Sequence, residues 1–241
     1  MNTLKNKVAL ITGGTKGIGF GIAQSLLEEG INVAITGRSL TSAQEAANNL
    51  NGSLNTKAKA IGLEADVRNF ESQKKAVHST LEQFGQLDIV IANAGLGHFA
   101  SIEDLTHTQW QETIDTNLTG AFYTIKASVD ALKQSKGYYI TISSLAGTNF
   151  FAKGSAYNAS KFGLTGFTQA VMLDLRHHGV KVSTIMPGSV STYFNGNEPD
   201  QSDAWKIQIE DIGELVVDLL KMNPRTLPSK IEVRPSMPPS K

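Results

Sequence analysis

Lys7-Val-Ala-Leu-Ile-Thr12 runs directly into Gly13-Gly-Thr-Lys-Gly-Ile-Gly19. The first stretch is short, aliphatic and uninterrupted, which is the pattern of a strand buried on both faces. The glycines of the second allow a tight turn and a close approach of bare backbone to a ligand. From Phe20 to Glu29 the apolar residues recur at helical spacing. A strand, a glycine turn and a helix, in that order, are what a phosphate-binding loop requires, because the helix N-terminus offers unpaired N–H groups to a pyrophosphate. The spacing is Gly13-x-x-x-Gly17-x-Gly19, a variant of the more common G-x-G-x-x-G.

The same alternation continues down the chain. Further strands are predicted at Asn32–Thr36, Lys57–Leu63, Leu87–Ala92, Tyr138–Ile142 and Val180–Met186, with an edge strand at Ile231–Arg234. Helices are predicted from Ser39 to Asn51, capped by Ser39 or Thr41, and from Phe70 to Phe84. Others run from Thr106 or Thr108 to about Lys133, from Ala156 to His177 and from Gln208 to Lys221. Strands that alternate with helices imply a doubly wound parallel sheet with helices on both faces. The expectation is an α/β, Rossmann-like, three-layer αβα sandwich of seven strands. It forms one domain over residues 1–241, with 235–241 as a loose proline-rich tail.

Composition narrows the function. Lys plus Arg number 22 and Asp plus Glu 22, so the balance of charge gives no broad attraction to nucleic acid or anionic membrane. The absence of cysteine excludes disulfides, thiolate metal sites and thiol catalysis. Neither a signal peptide nor an apolar run of transmembrane length is evident, and a cytoplasmic protein is expected. His177 and His178 are adjacent, so on a helix they point in different directions. Before Gly179 they read as residues that complement a helix C-terminus rather than as metal ligands.

A second constellation carries chemistry. Tyr157 and Lys161 are four apart, hence on one face of a helix. A free tyrosine has a pKa of about 10, and a neighbouring ammonium favours its phenolate. Ser144 follows the strand Tyr138–Ile142 and can donate to a carbonyl oxygen or alkoxide. Together they suit proton transfer at a carbonyl or alcohol centre. Tyr-x-x-x-Lys alone recurs by chance on surface helices; its weight comes from the dinucleotide loop upstream.

Other residues extend the site. An acidic residue at the end of the second strand would bind the ribose 2′-hydroxyl of NAD. This chain has Gly37-Arg38-Ser39 there. A guanidinium suits a 2′-phosphate, and Lys16 can add a second cation. Two solvated surface charges are the plainer reading, but the context favours NADP over NAD. Asp66, ahead of the helical run from Phe70, can serve as a helix-start residue. Asn93, in a turn of small residues after a strand, can brace the sheet. His98 and Phe99 lie in a loop at the C-terminal edge of the sheet, where a substrate would sit, although a lone loop histidine is usually no more than that. Asn117 is a poor residue for a helix interior, since its amide competes for backbone hydrogen bonds, and the mismatch hints at a special role.

With Thr12-Gly-x-x-x-Gly-x-Gly19, Asn93-Ala94-Gly95 and Tyr157-x-x-x-Lys161 in view, the chain resembles the short-chain dehydrogenase/reductase family over nearly its whole length. Within it, the resemblance is to NADP-preferring members such as the 3-oxoacyl-[acyl-carrier-protein] reductases. It implies catalysis by Asn117, Ser144, Tyr157 and Lys161. Ser144 is chosen over Ser143 because the family's serine precedes its tyrosine by thirteen positions. Asn117 would sit at a helix irregularity and hold a water linked to Lys161. Cofactor contacts are implied at Gly13, Thr15, Lys16, Gly17, Ile18 and Gly19, then at Arg38 and Ser39. Asp66 would receive the adenine amine beside Val67, and Asn93, Ala94 and Gly95 would line the cofactor. Tyr157 and Lys161 would also touch it. Pro187 and Gly188 would lie against the nicotinamide, with Val190 and Thr192 anchoring its carboxamide and a nearby phosphate.

The implied function is reduction of a ketone, aldehyde or 3-oxoacyl thioester with NADPH. A polar segment from Tyr193 to Trp205 would form a short lid. The long helices would pair across a homodimer or homotetramer. A dinucleotide-binding regulator or scaffold without turnover is the alternative, against which the intact Ser144, Tyr157 and Lys161 count.

Overall fold

A computed structural model describes residues 4–238 of the chain. Residues 1–3 and 239–241, the latter part of the expected loose tail, lie outside the described residues. Pro235, at the start of that tail, is half-buried against Gly188.

Seven strands form one parallel sheet: β1 (Val8–Ile11), β2 (Asn32–Gly37), β3 (Ala60–Glu64), β4 (Ile89–Ala92), β5 (Tyr138–Ile142), β6 (Lys181–Pro187) and β7 (Lys230–Val233). Their spatial order is β3-β2-β1-β4-β5-β6-β7. The chain therefore winds outward in one direction from β1 to β3, then returns to β1 and winds the other way through β4. In open α/β sheets a ligand crevice opens at such a reversal, outside the carboxyl ends of the strands.

Period-two alternation divides the strand side chains between two cores. Ala9 and Ile11 of β1, Val33 and Ile35 of β2 and Ile89 and Ile91 of β4 face one side. There they meet α1 (Gly17–Glu28), α2 (Leu40–Ser53) and α7 (Ile209–Lys221). Val8 and Leu10, Ala34 and Val90 face the other. That layer holds α3 (Phe70–Phe84), α5 (Gly120–Ser135) and α6 (Ser155–Leu175).

Helix α3 keeps its expected bounds, whereas β3 begins at Ala60 rather than Lys57 and other elements differ for local reasons. Helix α1 begins at Gly17, because Gly13 and Gly17 take positive φ (64° and 59°) and complete the turn early. Helix α3 is capped by Asn69, whose side chain accepts from Ser72 N at 2.9 Å; Asp66 is not its start. The single helix expected from Thr106 to about Lys133 is broken. α4 (His107–Ile114), closed by a Thr106–Gln109 capping box, passes through a π-helical turn at Asp115–Thr119 before α5. After α6 a short 3-10 turn, Arg176–His178, ends on Gly179 in the left-handed region, as the glycine stop predicts.

Candidate active site

The loops after β1 to β6 converge on one cleft of about 710 Å³. At one end the β1–α1 turn forms an anion cradle. Lys16 stands at the N-cap of α1 without a side-chain hydrogen bond to the helix, and no acidic residue occupies the first turn. The opening N–H groups of the helix are thus left uncapped by any side chain, as a bound phosphate requires. Gly17 has open space on the cleft side: a Cβ there would meet nothing nearer than Thr192, at 3.6 Å. Gly13 and Gly19 work differently, as packing glycines. A Cβ on Gly13 would come 2.9 Å from Ala94 Cα, and one on Gly19 would come 2.5 Å from Asn93 Nδ2.

Asn93 braces that cradle. Its Nδ2 donates to the carbonyls of Thr12 (3.0 Å) and Gly13 (2.9 Å), while the Thr12 hydroxyl accepts from the N–H groups of Asn93 and Ala94. Asn93, Ala94 and Gly95 also line the cleft, so bracing and lining are one function here.

Beyond the cradle, Arg38 and Lys16 line the cleft together with Thr15, Ile18, Asp66 and Val67. Ser39 does not line it; its hydroxyl caps α2, accepting from Ser42 N. Arg68, which sequence reasoning passed over, does line it. Its guanidinium holds both Asp66 oxygens, with Nη2 2.6 Å from Oδ2 and Nε 3.0 Å from Oδ1, and its N–H donates to Oδ1 at 2.9 Å. That hydrogen-bonded pairing holds the Asp66 carboxyl below its usual range, and Arg38 adds to the effect. An arginine two residues past an aspartate carries no pattern of its own, which is why the sequence did not reveal it.

The other end of the cleft carries the proton chemistry. α6 places Tyr157 and Lys161 one turn apart, with Nζ 5.7 Å from the Tyr157 ring centre. Lys161 is buried and donates to Ile142 O at 2.9 Å, at the end of β5. Burial pulls its pKa down to about 8. Burial also raises the Tyr157 phenol, against which the facing Ser144 hydroxyl works. The net shift is therefore upward, opposite to the lowering expected. Loss of hydration dominates, and the lysine's hydrogen bond goes to a backbone carbonyl.

The two serines divide as strand alternation predicts. Ser143 is buried, its hydroxyl donating to Lys161 O at 3.2 Å and bonded to Thr165 Oγ1 at 3.0 Å, whereas Ser144 faces Tyr157.

Asn117 sits in the π-helical turn, buried and not on the cleft surface. Its Nδ2 donates to Leu96 O (2.8 Å) and Ser160 Oγ (2.9 Å), and its Oδ1 accepts from Leu96 N (2.8 Å). Both amide hydrogens are spent, so the side chain ties the loop after β4 to α6. One lone pair of Oδ1 remains beside Gly95, where a Cβ would lie 3.2 Å from Oδ1 and 3.6 Å from Lys161 Nζ.

After β6, Pro187, Gly188, Val190 and Thr192 line the cleft. Val190 bridges Ile207, and Ser191 Oγ donates to Asp203 at 3.1 Å, fastening both ends of the segment between them. That segment carries Tyr193 and Phe194 into the cleft; their adjacency in a largely polar stretch was the available signal. Phe99 also reaches Tyr157, ring centres 5.3 Å apart. His98 instead turns to Glu112, at 3.0 Å, and does not line the cleft. Among the described residues no group of three or more His, Cys, Asp or Glu could hold a metal ion, and no helix is long and apolar enough to cross a membrane.

An uncapped helix N-terminus facing a nucleotide-sized cleft, with a tyrosine, lysine and serine at its far end, is the layout of a dinucleotide-dependent oxidoreductase. The short chain dehydrogenase model matches residues 7–203, and the chain belongs to the short-chain dehydrogenase/reductase family. It is 38% identical over 189 residues to trans-4-hydroxycyclohexanecarboxylate dehydrogenase of Sinomonas cyclohexanicum, covering 77% of this chain and 73% of that protein. Among solved structures it resembles an alcohol dehydrogenase from the archaeon Thermococcus sibiricus complexed with 5-hydroxy-NADP. There the TM-score is 0.89 and the identity 30%, over 98% of this chain and 99% of that one. A 3-ketoacyl-ACP reductase from Sinorhizobium meliloti gives a TM-score of 0.85 at 33% identity, over 94% and 97% of the two chains.

Proposed function

We propose that this oxidoreductase reduces a ketone or aldehyde with NADPH. The observation that carries the reading is the joining, within one cleft, of the glycine cradle and Arg38 to Ser144, Tyr157 and Lys161. The Thermococcus relative crystallised with an NADP derivative supports the choice of cofactor. Gly13, Thr15, Gly17 and Ile18 would hold the pyrophosphate, with Arg38 and Lys16 on the 2′-phosphate. Asp66 and Val67 would take the adenine, and Pro187, Gly188, Val190 and Thr192 the nicotinamide end. When bound there, the nicotinamide supplies the hydride.

The chain's own residues move the proton. Tyr157, held protonated by its raised pKa, gives its hydrogen to the carbonyl oxygen. Ser144 donates a hydrogen bond to that oxygen as charge develops. The Lys161 ammonium stabilises the phenolate left behind. Asn117 holds the Leu96 loop and α6 in register, and its remaining lone pair on the Lys161 side is where a water relay would attach.

A 3-oxoacyl thioester and a small free carbonyl both fit this chemistry; the Sinorhizobium reductase supports the first and the Sinomonas dehydrogenase the second. We also propose a homodimer or homotetramer joined through α5 and α6. Phe122, Phe162 and Leu173 stand exposed on those helices, with Phe122 packed edge-on to Phe167 at 6.3 Å.

Absorbance at 340 nm tests the enzymatic reading. NADPH should be consumed with a carbonyl, and faster than NADH. Tight NADPH binding with no consumption across ketones, aldehydes and acyl thioesters would favour a cofactor-sensing role instead.

A further inference from the structure

Three phenylalanines from three separate loops form a cluster that reaches the acid. Phe99 follows β4, Phe151 follows β5 and Phe194 follows β6. Phe99 has its ring centre 5.3 Å from that of Tyr157, 5.9 Å from Phe151 and 6.5 Å from Phe194. Phe194 lies 5.7 Å from Tyr157. Such edge and tilted contacts leave ring faces able to take a further ring. Phe194 lines the cleft, and the cluster continues past that lining to the surface, where Phe99 keeps 38% of its area exposed and Phe151 48%.

The loops that carry the wall are fastened. Ala100 N donates to Lys153 O at 3.0 Å, joining the Phe99 loop to the Phe151 loop. Asn158 Nδ2 holds the latter through Ala146 O and Asn149 O, both at 2.8 Å. Gly97 makes room: a Cβ there would come 2.8 Å from Phe99 and 3.0 Å from Phe194.

Among the described residues, the cations that line the cleft are all engaged elsewhere. Of the cations lining the cleft, Lys16, Arg38 and Arg68 belong to its nucleotide half. Lys161 is committed to Ile142 O, and Lys206 is paired with Asp203. His98 and Glu112 satisfy each other beside it. A carboxylate or phosphate brought against Phe99 would lose water and gain no partner, whereas a flat apolar group would lose nothing.

We infer that the substrate is a neutral aryl ketone or aldehyde, its ring seated against Phe99 and Phe194 and its carbonyl at Tyr157. The inference rests on the reductase reading above and narrows it.

The test pairs turnover with equilibrium binding. The ligands are acetophenone, butanone, 4-oxocyclohexanecarboxylate and an acetoacetyl thioester, with NADPH for turnover and NADP⁺ for calorimetric binding. Acetophenone should show the highest kcat/KM and the tightest binding. Phe99→Ala should lower both for acetophenone about ten- to a hundredfold, a loss of the size that a deleted apolar contact brings. The acetophenone-to-butanone ratio of kcat/KM should fall about tenfold or more, while NADPH affinity stays within about threefold, which shows that the variant is folded. Phe99→Leu, apolar but without a ring, should restore only part of the loss. A carboxylate or thioester preferred over acetophenone, or an equal fall for butanone in Phe99→Ala, overturns the aryl assignment and leaves the reductase reading intact. Acetophenone binding that depends on Phe99, with no ketone reduced, upholds the aryl site and sinks the reductase reading.

Discussion

Lys161 is the most costly side chain in the site. Its pKa of about 8, against the usual 10.5, corresponds to about 3 kcal/mol of burial penalty at about 1.4 kcal/mol per unit. The unfolded state binds the extra proton between pH 8 and 10.5, so stability should rise with pH across that window. Lys161→Met removes the penalty and loses one hydrogen bond worth about 1 kcal/mol. It should stabilise the fold by about 1–2 kcal/mol in urea denaturation while abolishing turnover; a destabilised variant would mean that the ammonium is well compensated in place. The same lysine sets the pH profile. Tyr157 stays protonated through neutrality, so reductive kcat/KM should hold up to about pH 8 and fall above it as Lys161 loses its charge. A profile still flat at high pH would show that another group stabilises the phenolate. Tyr157→Phe should cost at least a hundredfold in kcat, on the order expected of a lost general acid, with NADPH affinity unchanged. Arg38→Asp should shift the NADPH/NADH ratio of kcat/KM by about ten- to a hundredfold, the scale of a charge-assisted hydrogen bond. An unmoved ratio would transfer the 2′-phosphate role to Lys16 or Arg68.

The π-helical turn at Asp115–Thr119 matters because of what it positions. It widens the helix locally and brings the Asn117 amide between Leu96 and Ser160. Asn117→Ala would leave the part-buried N–H and C=O of Leu96 without their partners, a loss of about 1 kcal/mol for each group, the low end of the range for unsatisfied groups. The expected result is a lower melting temperature together with reduced kcat, because the same loop carries Gly97 and Phe99. A variant with wild-type stability would show that water replaces the amide. The segment between Val190 and Ile207 is built similarly, its ends fastened by a β-bridge and by the Ser191–Asp203 hydrogen bond. What hangs between them places Phe194 against Tyr157.

Across the molecule, the strand order places six loops on one edge and the reversal between β1 and β4 at its middle. The nucleotide half and the proton-transfer half of the cleft come from opposite sides of that reversal, so neither works without the sheet between them. The exposed apolar residues of α5 and α6 lie on one helical layer of that sheet. Phe122→Glu with Phe162→Glu should convert the proposed oligomer to a monomer in analytical ultracentrifugation. An unchanged sedimentation coefficient would move the interface elsewhere.

The sequence by itself determined the strand and helix alternation, the glycine cradle, the Tyr157–Lys161 face and the opposite facing of Ser143 and Ser144. Each depends on spacing within one or two elements, and spacing is what a sequence displays. Only the tertiary structure decided that Asn93 clamps the cradle and that Asn117 spends its amide on Leu96 and Ser160. It alone showed Arg68 pairing with Asp66 at the cleft, His98 turned to Glu112, and Phe99 and Phe194 meeting at Tyr157 with Phe151 packed on Phe99. These depend on which loops the sheet order brings together. It also reversed the sign expected for the Tyr157 pKa, because burial is a property of the packed whole, and here the loss of water outweighs the neighbouring charge.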